Sequence, residues 1–267
     1  MSSTLQHLAP SSEYVAAPSF LGRPGRLERA AVTVALFTYA FSLPMDWFVR
    51  VNASSAGTVQ GGSILTQLVF TSFLGLAILG LNGNWHVAMT AIGREPVIVS
   101  LLALMGLSTI WSNNVAETAQ NFIVFSFTYV FAIYLTTRFD LPAILHMVGL
   151  SLAAGVFINF AFIFVFQDFG LDSINVGTDG GAKWSGIFVT KNELGRIASL
   201  SALIFTFLAR LRHSKLIWPA LTVLALSQVF GSDSATSLGA TLGLIGLGVI
   251  FLTFRGRKTL YLSLIHI

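Results

Sequence analysis

Residues 141–166 read LPAILHMVGLSLAAGVFINFAFIFVF, a run without a charged side chain. A helix needs about 20 residues to cross the hydrocarbon of a bilayer, so this run is long enough for one span. The whole chain has a similar character, with 54% hydrophobic and 10% charged residues over its 267 positions. Soluble domains carry about 25% charged residues. The composition therefore predicts an integral membrane protein.

Further apolar runs accompany this one along the chain. They lie at about 30–48, 64–81, 97–111, 119–137, 194–209, 216–230 and 236–254. None shows the strict alternation of a membrane β-strand, and helices satisfy every backbone polar group within lipid. Two runs, 97–111 and 216–230, are short and need a few flanking residues. The sequence predicts an all-α polytopic protein of about eight transmembrane helices, within a transmembrane domain over 30–261.

Basic residues predict the orientation of these spans. With the N-terminus in the cytoplasm, 11 of the 15 Lys and Arg residues fall on the cytoplasmic side, as the positive-inside rule requires. The four on the outer side are Arg50, Lys183, Lys191 and Arg196. Residues 1–29 are polar, contain three prolines and show no signal-peptide pattern. We expect this segment to be a loosely ordered cytoplasmic tail, and we expect no nucleic-acid partner.

A polar cluster interrupts the apolar pattern at Trp184–Arg196, which reads WSGIFVTKNELGR and follows the longest outer loop, 167–190. One interpretation of the cluster is structural. Thr190 and Glu193 have the spacing of a capping box, with Thr190 as the N-cap. Glu193 and Arg196 are also spaced to pair on a helix surface. In this interpretation the polar residues only start a helix, with the Trp in the interfacial aromatic belt.

The same residues also fit an anion site at the membrane surface. Asn192 and Arg196 lie four positions apart, on one helical face, and Lys191 is adjacent to Asn192. Gly195 removes a side chain, so that a ligand or a neighbouring helix can approach the backbone. A helix N-terminus attracts anions through its free N–H groups and its dipole. Basic side chains added there suit a phosphate or pyrophosphate. The pattern alone leaves both interpretations open.

The run W-x-G-I-F-x-x-K-N-x-L-G-R resembles the signature of the O-antigen ligase and polymerase family, above all its exopolysaccharide-polymerase branch. The matching residues are Trp184, Gly186, Phe188, Lys191, Asn192, Leu194 and Gly195. Thr190 stands where the family commonly has His. Two further stretches resemble the family: Ile110–Asn113 its Trp-Ser run, and Ser232–Thr236 its S-x-S-x-T run. Ala235 stands where many ligases carry Arg, which favours the polymerase branch. The resemblance covers about residues 97–250.

The resemblance implies glycosyl transfer on the outer side of the cytoplasmic (inner) membrane. The donor would be a polyprenyl-pyrophosphate-linked saccharide, the acceptor a glycan or lipid, and the process the polymerisation or ligation of a surface polysaccharide. Arg196 and Lys191 are the expected catalytic residues, as cations on the leaving pyrophosphate. The expected substrate-binding residues are Asn192, Trp184, Ser232 and Ser234. Family members require neither a cofactor nor a metal, and their general base, usually His, comes from a large outer loop further along.

A transporter or flippase of lipid-linked saccharides is the alternative function, and a non-catalytic membrane scaffold is a third. Polar groups within spans would favour a transporter, but these spans hold few ionisable residues. Asn159 either lines a substrate path or bonds a neighbouring helix. Gly239 and Gly243 form a GxxxG pair, which we attribute to close helix packing. The chain has no Cys, which excludes a disulfide framework and a thiolate metal site.

The end of the chain departs from the pattern of full-length spans. A ninth span begins at Thr259–Tyr261 and stops at 262–267, which reads LSLIHI. So short an apolar segment cannot cross a bilayer. The stretch LSLIHI is also the translation of CTG TCT CTT ATA CAC ATC, which resembles a transposon-end sequencing adaptor. We therefore expect 262–267 to be foreign to the native protein, and the native chain to continue into the family's outer loop and its base.

Overall fold

The computed structural model describes residues 24–41, 64–82, 85–172, 183–188, 190–211 and 216–254. Side chains are described for all of these residues except 64–70 and 249–254. The helices are α1 (Arg26–Phe41), α2 (Ile64–Leu81), α3 (Trp85–Arg94), α4 (Pro96–Ser108), α5 (Val115–Arg138), α6 (Leu141–Phe164), α7 (Gln167–Gly170), α8 (Lys191–Arg210), α9 (Ile217–Gly231) and α10 (Ala235–Phe254). The strands are β1 (Leu171–Asp172) and β2 (Lys183–Trp184). Most of the predicted tail, and the predicted foreign residues 262–267, lie outside the described residues.

Each of the eight predicted apolar runs overlaps a helix of the described residues, which confirms the prediction of a mainly helical, apolar chain. The clearest difference is α3, a helix that the sequence did not predict. It ends just before α4, and the two are bent by 88°. Pro96 at the first turn of α4 explains the break, because proline lacks the N–H that would continue the hydrogen-bond ladder of α3.

Among the described residues, α5 and α6, each of 24 residues, are long and apolar enough to cross a membrane. A third span results if the bent pair α3 and α4 is counted as one. Over the parts whose side chains are described, the other apolar helices are shorter: Thr71–Leu81, Ile217–Gly231 and Ala235–Gly248. The apolar helices indicate a membrane protein, and by length and composition they give two to three spans. That number does not support the predicted count of about eight.

The chain divides into two compact units. The first holds Ile64–Leu141 and the start of α1 up to Arg29. Its central helix is α5, which packs against α2, α3 and α4. The carboxylate of Glu28 joins the first turn of α1 to α5 within this unit, because it accepts hydrogen bonds from Arg138 Nε at 2.7 Å and from the Tyr134 hydroxyl at 2.9 Å. The ion pair therefore fixes the first turn of α1 to the end of α5.

The second unit holds α1 from Ala30 and the chain from Pro142 onward. Glycines on α6 allow close packing in its core: a Cβ on Gly155 would overlap the ring of Phe41. α8 and α9 pack along one another, and α10 packs on α8. The buried core includes Phe41, Leu152, Leu194, Phe205, Leu208 and Trp218. This unit contains every residue of the cluster at Trp184–Arg196.

Short elements connect α6 to α8. The single turn α7 leads into an antiparallel ribbon of β1 and β2, in which Leu171 lies opposite Trp184. The carbonyl of Gly170 accepts the N–H of Ser185 at 2.9 Å, which ties the ribbon to α7. Residues 173–182, between the strands, lie outside the described residues. The predicted outer loop therefore includes regular structure at both of its ends.

Candidate functional site

The segment after β2 is held on α6 by Asn159, which is 1% exposed. The backbone N–H of Ile187 donates to Asn159 Oδ1 at 3.1 Å. Gly186 has a φ of +60°, and a Cβ there would lie 2.5 Å from the same oxygen, so this position requires glycine. Asn159 thus anchors the loop that leads into α8. The sequence predicted neither this contact nor this role.

Trp184 lies half-buried between α6 and α9. Its ring meets Phe160 and Phe164 edge-on, with centroids 6.1 Å and 5.7 Å away. The ring also lies against Gly231, where an added Cβ would overlap it. These contacts fix β2 against the end of α9. The structure therefore shows a packing contact for a residue that was predicted to bind substrate.

Thr190 caps α8, as the sequence predicted. Its backbone is extended, with φ −129° and ψ 150°, and its hydroxyl accepts the N–H of Glu193 at 3.4 Å. Among the described residues, Glu193 makes no return bond to Thr190 and forms no ion pair with Arg196. The N-cap is confirmed. The predicted pair of Glu193 and Arg196 is not formed within the described residues.

Gly195 lies where α8 meets the start of α10. A Cβ on Gly195 would lie 2.5 Å from Ser237 Oγ and 2.9 Å from Ser232 Oγ. One turn further along α8, the Ser199 hydroxyl donates to the carbonyl of Gly195 at 2.8 Å and accepts from Thr241 Oγ1 at 2.7 Å. Small hydroxyl side chains therefore join the two helices. The sequence left open whether a ligand or a neighbouring helix approaches Gly195, and the structure shows the neighbouring helix α10.

The GxxxG pair of α10 does not make such a contact. Gly239 and Gly243 are exposed, and a Cβ on either would meet no atom within 4 Å in the described part of the chain. Among the described residues no helix packs on this pair, so its attribution to close helix packing stays a prediction. A GxxxG motif marks a packing face only where another helix covers it. The observed contact of α10 with α8 lies instead at Ser237, opposite Gly195.

The two serines predicted to bind substrate face the interior. Ser232 is 0% exposed, and its hydroxyl donates to the carbonyl of Val229 at 2.7 Å. Ser234 is 3% exposed, and its hydroxyl shares a 3.0 Å hydrogen bond with that of Ser237. Both hydroxyls thus stabilise the turn between α9 and α10. Because both side chains are buried, a direct contact with substrate would require this turn to open.

Three charged groups converge beside this turn. Lys183, on β2, forms an ion pair with Asp233, whose side chain is 66% exposed. The hydrogen bond from Lys183 is the main reason that the pKa of the Asp233 carboxyl is below its usual value, and the charge of Lys191 lowers that pKa further. Lys191 is half-buried at the first position of α8. The structure therefore places two of the four outer basic residues around one carboxylate.

Asn192 and Arg196 form the exposed face of the same helix start. Both side chains are exposed, and their spacing of four residues puts them on one side of α8. Within the described residues, no carboxylate lies within ion-pair distance of Arg196. Its guanidinium is thus placed to meet a ligand from solvent, with Asn192 as a neighbouring hydrogen-bonding group.

The stretch Ile110–Asn113 belongs to the first unit, in the turn between α4 and α5. Trp111 is 63% exposed. The hydroxyl of Ser112 shares a 2.6 Å hydrogen bond with that of Thr118, on the first turn of α5. The observed contacts of this Trp-Ser run are therefore local to its own turn.

The ion pair between Lys183 and Asp233 is the part of the site that sequence reasoning missed. A sequence signal for it did exist, since both residues fall in predicted outer segments and carry opposite charges. The two positions are 50 residues apart, however, and only the fold brings the ribbon to the turn after α9.

An apolar helical membrane protein with a cationic surface at the start of one helix is the class that the described residues define. No protein-family model, no curated protein and no solved structure matches this chain.

Proposed function

We propose that this protein is a glycosyltransferase of the O-antigen ligase and polymerase type, acting on the outer side of the cytoplasmic membrane. Its donor is a polyprenyl-pyrophosphate-linked saccharide, and its acceptor is a glycan or lipid. The observation that carries the proposal is the exposed face of Asn192 and Arg196, beside Lys191, at the start of a helix in an apolar chain. The motif resemblance adds to it.

The chemistry explains why such a surface is needed. The acceptor hydroxyl oxygen bonds to the anomeric carbon, the bond from that carbon to the pyrophosphate oxygen breaks, and the hydroxyl proton passes to a base. Negative charge then develops on the leaving pyrophosphate. Arg196 would bind its oxygens through paired N–H donors, and Lys191 would add a compact charge. The N-terminus of the 20-residue α8 contributes its dipole to the same anion.

The proposal includes eight spans with the N-terminus in the cytoplasm. Two ion pairs support this arrangement. Glu28 and Arg138, 110 positions apart, both fall on the side assigned to the cytoplasm. Lys183 and Asp233 both fall on the side assigned to the exterior. An odd number of spans between the members of either pair would put them on opposite faces of the membrane, so both pairs favour an even number of spans between their members, as the proposed topology has.

Within this proposal, Trp184, Ser232 and Ser234 position the site. Trp184 holds the ribbon against α9, and the serines hold the turn that carries Asp233. Their loss would displace the cations without removing a contact to the ligand. We retain Asn192 as a substrate-binding residue, because its amide is exposed on the same face of α8 as Arg196.

The test compares two chromosomal variants in the host, Arg196→Ala and Arg210→Ala. Arg210 is the matched control, because it is an exposed Arg at the opposite end of α8. We expect Arg196→Ala to shorten the surface polysaccharide and to accumulate lipid-linked single units outside the membrane, at an unchanged protein level on immunoblots. Arg210→Ala should retain polymer of normal length. Normal polymer in the Arg196 variant contradicts the proposal, and accumulation of lipid-linked units on the inner side indicates a flippase.

A further inference from the structure

An exposed carboxylate, that of Asp233, already lies beside two of the outer basic residues, Lys183 and Lys191. Asp233 is held by Lys183 from β2 and lies within the electrostatic reach of Lys191 from α8. Most of its side chain remains open to solvent. Lys183 thus contacts the carboxylate directly, and Lys191 lies close enough for its charge to act on it. A ligand from solvent or from the membrane surface can reach this carboxylate, because most of it is exposed.

We propose that Lys183 and Lys191 form a phosphate subsite, that Asp233 occupies it as an internal substitute for the ligand, and that the pyrophosphate of the donor displaces this carboxylate. The inference rests on the proposed function and extends it. It adds Lys183 as a binding residue, and it makes Asp233 a competitor of the ligand rather than a contact to it.

The exchange is physically favourable because the internal pair is exposed. Exposed ion pairs contribute little to stability, since water screens both charges. A pyrophosphate brings more negative charge and more acceptor oxygens than one carboxylate, and bonds between charged groups are the strong ones. Lys183 can therefore exchange its carboxylate partner for a phosphate oxygen at small cost. A carboxylate and a phosphate present the same kind of acceptor to an ammonium group, so the observed pair shows a geometry suited to both.

The backbone at Asp233 makes a clean perturbation possible. Its φ is 46°, in the left-handed region, which Asp and Asn tolerate better than other side chains with a Cβ. Asp233→Asn therefore keeps the shape of the side chain and the conformation of the turn while it removes the charge.

A purely structural role for the ion pair predicts the opposite outcome. In that case Asp233 would serve to clamp β2 to the turn after α9, and its neutralisation would loosen the site and weaken anion binding. If Asp233 is instead a competitor, its neutralisation frees Lys183 and removes a negative charge from the subsite, so anion binding becomes tighter. The sign of the change in affinity separates the two roles.

The experiment titrates inorganic pyrophosphate into the purified protein in lipid nanodiscs, by calorimetry at low ionic strength, where charge effects are least screened. We expect Asp233→Asn to bind at least about threefold tighter than the unaltered protein, which is the scale of an exposed ion pair. Lys183→Gln should bind at least about threefold more weakly. The control is Asp140→Asn, which removes an exposed carboxylate in the turn before α6 and should leave the affinity unchanged.

Equal or weaker binding of pyrophosphate by a folded Asp233→Asn variant overturns the inference. A melting temperature recorded alongside shows whether that variant folds. If it does not, the Lys183→Gln comparison decides alone, and unchanged binding there overturns the inference as well. Failure of the proposed function looks different: Arg196→Ala then leaves the polymer intact, whereas the subsite inference can fail while Arg196 remains essential.

Discussion

Replacement of Gly195 by Ala tests how the start of α8 is held against α10. A Cβ at this position would lie 2.5 Å from Ser237 Oγ, 2.8 Å from Ser237 Cβ and 2.9 Å from Ser232 Oγ. The hydroxyls can rotate away, but Ser237 Cβ is fixed to the backbone of α10. An ordinary contact begins at 3.4 Å, so the two helices must separate by roughly 0.6 Å.

The magnitude follows from two opposing contributions. Overpacking of a close contact costs about 1–3 kcal/mol. Ala in place of Gly within a helix stabilises by about 1 kcal/mol. Gly239→Ala on α10 is the matched control, because it gains the same helix preference at a position where an added Cβ meets nothing within 4 Å among the described residues. The helix contributions cancel in the comparison, and Gly195→Ala should be less stable than Gly239→Ala by about 1–3 kcal/mol.

The assay is thermal unfolding of both variants in detergent micelles, followed by circular dichroism. We expect Gly195→Ala to melt at a lower temperature than Gly239→Ala. Equal melting of the two variants, or a higher melting temperature for Gly195→Ala, would refute the packing that is described for α8 and α10.

Three further predictions concern the rest of the chain. Asn159→Ala leaves a buried loop N–H without its acceptor and should cost about 1–3 kcal/mol of stability, and an unchanged melting temperature would contradict that role. The hydrogen bond from Arg138 lowers the pKa of Glu28 below its usual 4.5, so the pair stabilises above that pH and its contribution is lost as the pH falls through the lowered pKa. Glu28→Gln should therefore show a smaller loss of melting temperature on acidification than the unaltered protein, and an equal loss would show that the pair contributes nothing. In this chain without Cys, Asn113→Cys should react with an impermeant thiol reagent from outside and Asp140→Cys should not, whereas the reverse labelling would reject the proposed topology.

Features set by neighbouring residues were predictable from the sequence. Apolar runs such as 141–166 form helices because the backbone N–H and C=O groups of a helix bond one another within the segment, which does not depend on the rest of the fold. The cap at Thr190 depends only on residues three positions apart, and it was predicted correctly. The break before Pro96 also had a local cause in the sequence, although the preceding helix was not predicted.

Features set by distant residues were not predictable. The faces of α10 look equivalent in sequence, and only its contact with α8 shows that Ser237 packs while Gly239 does not. The hydroxyl of Ser232 could in principle bind a ligand, but the turn after α9 directs it inward, where it donates to the carbonyl of Val229. The pair of Lys183 and Asp233 joins two segments whose approach depends on the packing of α8 and α9. No local pattern contains that information.

The proposed function depends most directly on Arg196, which we propose stabilises a leaving pyrophosphate at the start of α8. The most direct measurement is the release of polyprenyl pyrophosphate from a lipid-linked saccharide, by the protein purified from its host and reconstituted in liposomes with an acceptor glycan. We expect release by the unaltered protein and by Arg210→Ala, and a rate at least about 100-fold lower for Arg196→Ala, which is the effect of removing one donor to a developing anion. Release by Arg196→Ala at the unaltered rate would contradict this role of Arg196.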